Sequence, residues 1–328
     1  AKKSGQLRCS HEEIFMHYYF APMEGITTAL YRRIHHHFFP GICQYYTPFL
    51  APARAHVFSQ RELQEILPQY QVGVPLVPQL LTKSSEDFIW AAQELAAMGY
   101  REVNLNLGCP SGTVVAKGRG SGMLADLESL ARFLDRIFGS LPDIRISIKT
   151  RLGLTDEEEF PRLLELYNQY PIWELTVHPR VCKDFYRNPI REQAFAYAVK
   201  QSQNPLCYNG DLRTEADCDW LQKQYPSVSA AMLGRGLVAD PGLVSRLQGD
   251  AAVERSRLKE FHDALYDGYC KQYQNPGNAL MRMKELWSYM IRQFPNPEQN
   301  WKRLRKCTRP GQYETVVQGL FASLQAGV

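Results

Sequence analysis

The hexapeptide EVNLNL, Glu102–Leu107, runs directly into Gly108-Cys109-Pro110. A short run of this kind, closed by turn residues, reads as one β-strand. Seven comparable runs flank it, at residues 18–21, 43–47 and 74–80 upstream and at 144–149, 174–178, 205–208 and 230–233 downstream. Their starts are spaced by 25, 31, 28, 42, 30, 31 and 25 residues, and stretches of helical periodicity such as 85–98, 127–138 and 158–167 occupy the gaps. Eight β-α repeats predict an α/β fold, a (β/α)8 TIM barrel, because a doubly wound sheet normally stops at five or six strands.

Past Asp240 the strand signals stop. Residues 254–274, 279–294 and 315–325 read as helices, separated by Asn275-Pro276-Gly277, Pro295-Asn296-Pro297 and Pro310-Gly311. A small C-terminal all-helical domain is therefore expected after the barrel. The expected division is an N-terminal extension at 1–15, a barrel at 16–250 and a helical domain at 251–328, with the boundary near Gly249.

Composition narrows the class. The chain has 328 residues, 45% hydrophobic and 22% charged, which excludes intrinsic disorder as the main state. Its longest apolar stretches, such as 74–81, fall well short of the roughly 20 residues that cross a bilayer, so no membrane association is expected. With its polar N-terminal residues, the sequence is not expected to be secreted by a signal peptide. Eight cysteines without a C-x-x-C pair suit a reduced, cytoplasmic protein and argue against structural zinc. In the triplet His35-His36-His37, consecutive side chains on a helix point about 100° apart and do not converge on one ion. No metal is expected, and the triplet reads as a helix end reaching solvent. Nothing in the sequence implies a protein partner.

Charge is unevenly placed. Residues 251–328 hold 12 Lys/Arg against 7 Asp/Glu, whereas the rest of the chain holds 26 against 27. Within the tail, WKRLRKCTR at 301–309 has five basic residues and no acid. On charge alone such a run is either a solvated face or a phosphate-binding surface.

In a TIM barrel the chemistry sits at the carboxyl ends of the strands. Here those ends present Pro22-Met23-Glu24-Gly25, Gln79, Asn106 with Cys109, Lys149-Thr150-Arg151, His178-Pro179-Arg180, Asn209-Gly210-Asp211 and Gly234-Arg235-Gly236. The glycine turns after the last two strands are where such barrels bind phosphate, and Arg235 adds a fixed cation. Each turn alone fits an ordinary tight turn; their joint placement implies a phosphorylated ligand. Lys149, His178 and the Gln79 amide suit a flavin, whose pyrimidine edge alternates donors and acceptors. Cys109, in a Gly-rich loop expected to be exposed and mobile, is positioned to donate a proton. The glycines at 118–122 lack the phosphate-loop pattern.

The motifs APMEGIT at 21–27, PQL at 78–80, NLNLGCPS at 104–111, SIKTRLG at 147–153, HPR at 178–180, YNGD at 208–211 and LGRG at 233–236 together resemble the tRNA-dihydrouridine synthase family. The resemblance implies FMN held by Pro22, Met23, Glu24, Gln79, Lys149, His178, Asn209, Gly210, Asp211, Gly234 and Arg235, with NADPH as reductant. It further implies hydride transfer from FMN N5 to C6 of a tRNA uracil, protonation of C5 by Cys109, and a base or flavin oriented by Asn106. The basic tail resembles that family's RNA-binding domain, so Arg282, Lys284, Lys302, Arg303, Arg305 and Lys306 are expected to contact tRNA, with Lys117, Arg119 and Arg180 as further substrate residues. Two segments depart from the commoner pattern: Pro179-Arg180-Val181-Cys182 after His178, and Arg282, Lys284 and Glu285, which meet an Arg-Lys-His helix pattern only in part. Two other readings stay open, an FMN barrel acting on a small molecule and an inactive RNA-binding relative.

Overall fold

The computed structural model describes residues 16–52, 54–250 and 255–325; the expected extension at 1–15 lies outside the described residues. Nine parallel strands form one sheet: β1 (His17–Phe20), β2 (Gln44–Tyr46), β3 (Leu76–Val77), β4 (Gln79–Leu80), β5 (Glu102–Leu107), β6 (Arg145–Arg151), β7 (Leu175–His178), β8 (Leu206–Tyr208) and β9 (Ala230–Leu233). Their order is β3-β2-β1-β9-β8-β7-β6-β5-β4. The eight expected runs become nine strands because Pro78, having no N–H for the ladder, divides the run at 74–80. Leu76 and Val77 pair with β2 and Gln79 and Leu80 with β5, while the Asn104 N–H donates to the Pro78 carbonyl at 2.9 Å. The two halves of that one run bring the ends of the sheet together, giving a TIM barrel.

Side chains alternate between barrel interior and the helical layer with period two. Val103, Leu105 and Leu107 of β5 and Ile146 and Ile148 of β6 face the surrounding helices and join the main core. Inside the barrel, Tyr19, Ala21, Tyr46, Val77, Cys207, Ala230 and Met232 form a separate apolar cluster. The remaining interior is polar: Gln79, Glu102, Asn104, Asn106 and Ser147 are all buried.

Four helices follow the barrel: Arg255–Tyr273, Pro276–Met290, Pro297–Lys306 and Pro310–Gln325. This is one more than the sequence patterns indicate, since the basic run is itself helical. Two of the expected helices also begin earlier, at Pro276 and Pro310, because proline suits the first helical position, where no N–H is needed. Asn275 caps the first of them, accepting from Gly277 N–H at 2.9 Å. Phe261 of the first tail helix packs edge-on against Tyr31 and Phe39 of the barrel helix Ala29–Phe38 and its end. Between the tail helices, Trp287 Nε1 donates to Tyr313 Oη (2.8 Å), which in turn donates to His262 Nε2 (2.6 Å). Burial lowers the His262 pKa and keeps that ring neutral and accepting.

The histidine triplet does not simply reach solvent. His35 is fully buried, with Nδ1 against Tyr45 Oη (2.8 Å) and Nε2 against the Pro241 carbonyl (3.1 Å); only His37 is exposed.

Just before β7, Glu174 accepts from Tyr19 Oη at 3.0 Å. Burial, with the Glu102 charge adding to it and Tyr19 opposing, pushes its carboxyl up from 4.5 to about 8. Between those values the unfolded chain releases this proton and the folded chain keeps it. Folding stability from this group is therefore present below about pH 4.5 and is lost as pH rises toward about 8. Glu174→Gln should melt about 2–4 °C above the parent at pH 8.5 and together with it at pH 5. Thermal melts at the two pH values check this; a gap independent of pH contradicts it.

Candidate active site

At the carboxyl ends of the strands lies a cavity of about 480 Å³. Thirteen sequence-predicted residues line it together: Pro22, Met23, Glu24, Gln79, Asn106, Cys109, Lys149, His178, Asn209, Gly210, Asp211, Gly234 and Arg235. Its volume falls in the range of small-molecule sites.

One wall is built around Asp211. Arg180, 2% exposed, grips both carboxylate oxygens, at 2.5 and 3.3 Å, and Arg235 donates to Oδ1 at 2.6 Å, with Arg213 at 3.5 Å. These cations hold the Asp211 carboxyl below its ordinary range despite burial, and its backbone sits at a φ of 20°. Arg180 also donates to His178 Nε2 (3.1 Å) and to the Asn188 carbonyl (2.6 Å). An arginine can only donate, so His178 Nε2 accepts and the neutral ring carries its proton on Nδ1. Burial first, then Arg151, Lys149, Arg180 and Arg235, drives the His178 pKa well down and keeps the ring neutral. Arg180, expected as a substrate residue, is not among the residues that line the cavity. It is buried behind the site, where its fork fixes His178 and the Asn209–Asp211 turn.

Strand β6, beside β7, brings Lys149 to the cavity. Its Nζ makes no hydrogen bond or ion pair among the described residues. Burial, then the Arg151 charge, lowers this ammonium from 10.5 to about 8, with Cys207 and Cys109 pulling the other way. Two residues on, Arg151 is buried and donates to the carbonyls of Gly108 (2.9 Å), Val181 (3.0 Å) and Phe185 (2.8 Å), tying the Cys109 turn to the loop after β7.

The Cys109 segment is folded rather than loose, a correction to the expected mobile loop. Helix Gly112–Val115 and the 3-10 turn Gly120–Ala125 bury Ser121, Met123 and Leu124, since these side chains complete the core under the strand end. Gly120 has a φ of 56°, and a Cβ there would come within 3.0 Å of Cys109 Cβ, so this contact admits only glycine. Asn106 Oδ1 accepts from the N–H groups of Gly108 (3.1 Å) and Cys109 (2.9 Å). Burial raises the Cys109 pKa, with Ser111, Arg151 and Lys149 opposing. The thiol thus retains its proton at neutral pH, as an acid must.

The remaining sequence-predicted residues lie apart. Lys117 is exposed and Arg119 half-buried, on the segment beyond Cys109. Arg282 donates to the Gly25 carbonyl (2.8 Å), to Glu285 (2.8 Å) and to Tyr273 Oη (3.2 Å), bracing the helical region against the turn after β1. Lys284 Nζ donates to the Arg305 and Cys307 carbonyls, closing the end of helix Pro297–Lys306 instead of facing solvent. Lys302, Arg303, Arg305 and Lys306 are exposed on that helix, while Leu304 is buried. Glu24, at the rim, pairs with Arg61 at 2.7 Å.

Sequence reasoning placed Arg151 at a strand end and Glu285 in a tail helix without giving either a site role, and missed Tyr186 and Tyr289; all four line the cavity. Arg151 was findable, because period two puts it on the same face of β6 as Lys149. Tyr186, 52% exposed, lies under the guanidinium groups of Arg235 (4.8 Å) and Arg151 (5.2 Å) and beside His178 (5.9 Å between rings), in a loop with no periodic signal. Glu285 and Tyr289 share one helix face at i, i+4, but only tertiary packing brings that face here.

The fold and site define a TIM-barrel protein with a cationic ligand cavity at its strand ends. Residues 19–312 match the model of the dihydrouridine synthase (Dus) family, and the chain belongs to that family. It is 28% identical over 291 residues to the tRNA-dihydrouridine(16) synthase of Cupriavidus necator, covering 84% of this chain and 86% of that one. It is 25% identical over 276 residues to the probable tRNA-dihydrouridine synthase 2 of Bacillus subtilis, covering 81% and 83%. Among solved structures, a variant of NCR from Zymomonas mobilis superposes with a TM-score of 0.53 at 14% identity, over 72% of this chain and 87% of that one. Morphinone reductase in complex with tetrahydroNAD superposes at 0.50 and 14%, over 72% and 87%. These structural likenesses concern the fold alone.

Arg180→Met should destabilise the protein by about 1.5–3 kcal/mol, the range for a hydrogen bond to a charged group, because Arg235 and Arg213 still face Asp211. Denaturant or thermal unfolding checks this, and parent-like stability would return Arg180 to the role of an expendable surface contact.

Proposed function

We propose that the protein is an FMN-dependent enzyme that reduces the C5=C6 bond of uridines in tRNA to 5,6-dihydrouridine, with NADPH as reductant. The observation that carries the reading is a protonated Cys109 thiol held at the same cavity as an unpartnered Lys149, a neutral His178 and the Arg235 turn. Family membership and the names of the relatives from Cupriavidus necator and Bacillus subtilis support it.

The residues present fit FMN. A half-buried ammonium without a hydrogen-bond partner is costly unless a ligand supplies acceptors, and Lys149 at the cavity wall is such a group. Gln79 offers both a donor and an acceptor. Arg235 opens the helix Arg235–Ala239, whose first-turn N–H groups have no intrahelical acceptor, and together with Gly210 and Gly234 it suits one terminal phosphate. Bound FMN, once reduced, supplies a hydride to C6 of the uracil.

What the chain itself does is to hold that ligand, admit the base and provide the proton. Cys109 Sγ delivers its proton to C5, and Asn106 holds the turn that carries the thiol. A uridine in folded tRNA must leave its stack to enter a cavity of this kind. Lys302, Arg303, Arg305 and Lys306, with Lys117 and Arg119 on the Cys109 segment, grip phosphates around it. Glu285 and Tyr289 carry the helical region to the mouth of the cavity, where an extruded base passes. No described helix is long and apolar enough to cross a membrane, and the proposed substrate puts the enzyme in the cytoplasm.

Cys109→Ala should leave NADPH-dependent flavin reduction intact and slow dihydrouridine formation by about 10²- to 10⁴-fold, the usual contribution of a positioned acid. Stopped-flow measurement of the two half-reactions checks this; unchanged turnover on tRNA would assign the proton to another group.

Neutralising Lys302, Arg303, Arg305 and Lys306 together should weaken tRNA binding and reduce the log–log salt slope by about 3, at nearly one unit per phosphate contact. Parent-like affinity and slope at several salt concentrations would show that these side chains merely solvate their helix.

A further inference from the structure

Five hydrogen bonds run in one direction through the polar half of the barrel. Cys109 N–H donates to Asn106 Oδ1 (2.9 Å), Asn106 Nδ2 to Gln79 Oε1 (2.8 Å), and Gln79 Nε2 to Asn104 Oδ1 (2.8 Å). Asn104 Nδ2 then donates to Ser147 Oγ (2.9 Å), and Ser147 Oγ to Glu102 Oε1 (2.6 Å). The chain descends from the active-site turn to the start of β5.

Its polarity is set at both ends. A backbone N–H can only donate, so Asn106 must offer its oxygen to Gly108 and Cys109 and its nitrogen to Gln79. At the other end Glu102 Oε1 accepts from Ser147, and the carboxyl takes a further hydrogen bond from the Gln44 side chain; burial raises its pKa, while Ser147, Arg145 and Gln44 oppose this. Every amide between the two ends has one orientation that satisfies both neighbours. All of these side chains are at most 8% exposed, so a reversed amide would face donor against donor without water to relieve it.

We propose that Glu102 is a positioning residue that acts through Ser147 and Asn104 to hold the Gln79 amide, already oriented by Asn106, in place at the cavity. Each end of Gln79 uses one hydrogen bond inside the chain, which leaves one N–H and one Oε1 lone pair for a ligand. A ligand edge that alternates acceptor and donor is matched by this arrangement and mismatched by its reverse. The inference rests on the FMN reading above, since the pyrimidine portion of a flavin presents such an edge.

The test is FMN affinity of the full-length protein, read by flavin fluorescence titration. Glu102→Gln puts a donor beside the acceptor that Ser147 uses and so loosens the lower end of the chain at nearly constant shape; Ser147→Ala cuts the chain, and Ser147→Thr keeps its hydroxyl. Glu102→Gln and Ser147→Ala should each weaken FMN binding by roughly three- to tenfold, the range of one hydrogen bond, while Ser147→Thr stays near the parent. In a Gln79→Ala background, Glu102→Gln should change FMN affinity by less than about 1.5-fold, because the residue it acts through is gone. Equal losses in both backgrounds, or parent-like affinity for Glu102→Gln, would overturn the inference alone. If Glu102→Gln does not fold, the contrast between Ser147→Ala and Ser147→Thr decides the matter in the same way. Failure of the parent to bind FMN would instead overturn the flavin reading and this inference with it.

Discussion

Inside a closed barrel no water reaches the side chains, so every polar group turned inward must be paired by another residue or by a ligand. Strand β5 turns three such groups inward, Glu102, Asn104 and Asn106, where many barrels place branched aliphatics. Their neighbours on β4 and β6, Gln79 and Ser147, pair them completely. The other half of the interior, from Tyr19 round to Met232, is largely apolar, and its Tyr19 and Tyr46 hydroxyls donate to Glu174 and Gln44. The active site thus rests on a polar column paired from Glu102 to Asn106, with Lys149 and the free side of the Gln79 amide left open at the cavity.

Three features follow from that incompleteness. Cations gather at the strand ends because Arg151 and Arg180 are consumed as struts, one binding three carbonyls and the other binding Asp211 and His178. His178 stays neutral beside them and Cys109 stays a thiol, so one small volume holds guanidinium groups and a retained proton. The helical region closes the arrangement: Arg282 ties it to the Gly25 carbonyl, and Glu285 and Tyr289 on the same helix reach the cavity.

Much of this was legible in the sequence, and what was not has a physical cause. The β-α spacing predicted the barrel, and rules about strand ends predicted that thirteen residues would meet in one cavity, because both depend on local periodicity and on one topological rule. Pro78 split a run that looked continuous, which its missing N–H could have signalled. Basic residues were over-assigned to RNA: charge shows in a sequence, whereas the partner that consumes it, Asp211 for Arg180 or the Cys307 carbonyl for Lys284, lies tens of residues away. His35 was misjudged for the same reason, since Pro241 is 206 positions distant. Tyr186 depended on tertiary packing and left no local trace.

The most direct test is a single assay of the product. Unmodified tRNA transcript is incubated with the purified protein, FMN and NADPH, digested to nucleosides and analysed by mass spectrometry. The expected result is 5,6-dihydrouridine in tRNA and none from free uridine, because the base must be delivered by an RNA that the basic helix holds. Reduction of the flavin by NADPH with every uridine left intact, or equal reduction of free uridine, would contradict the proposed reaction.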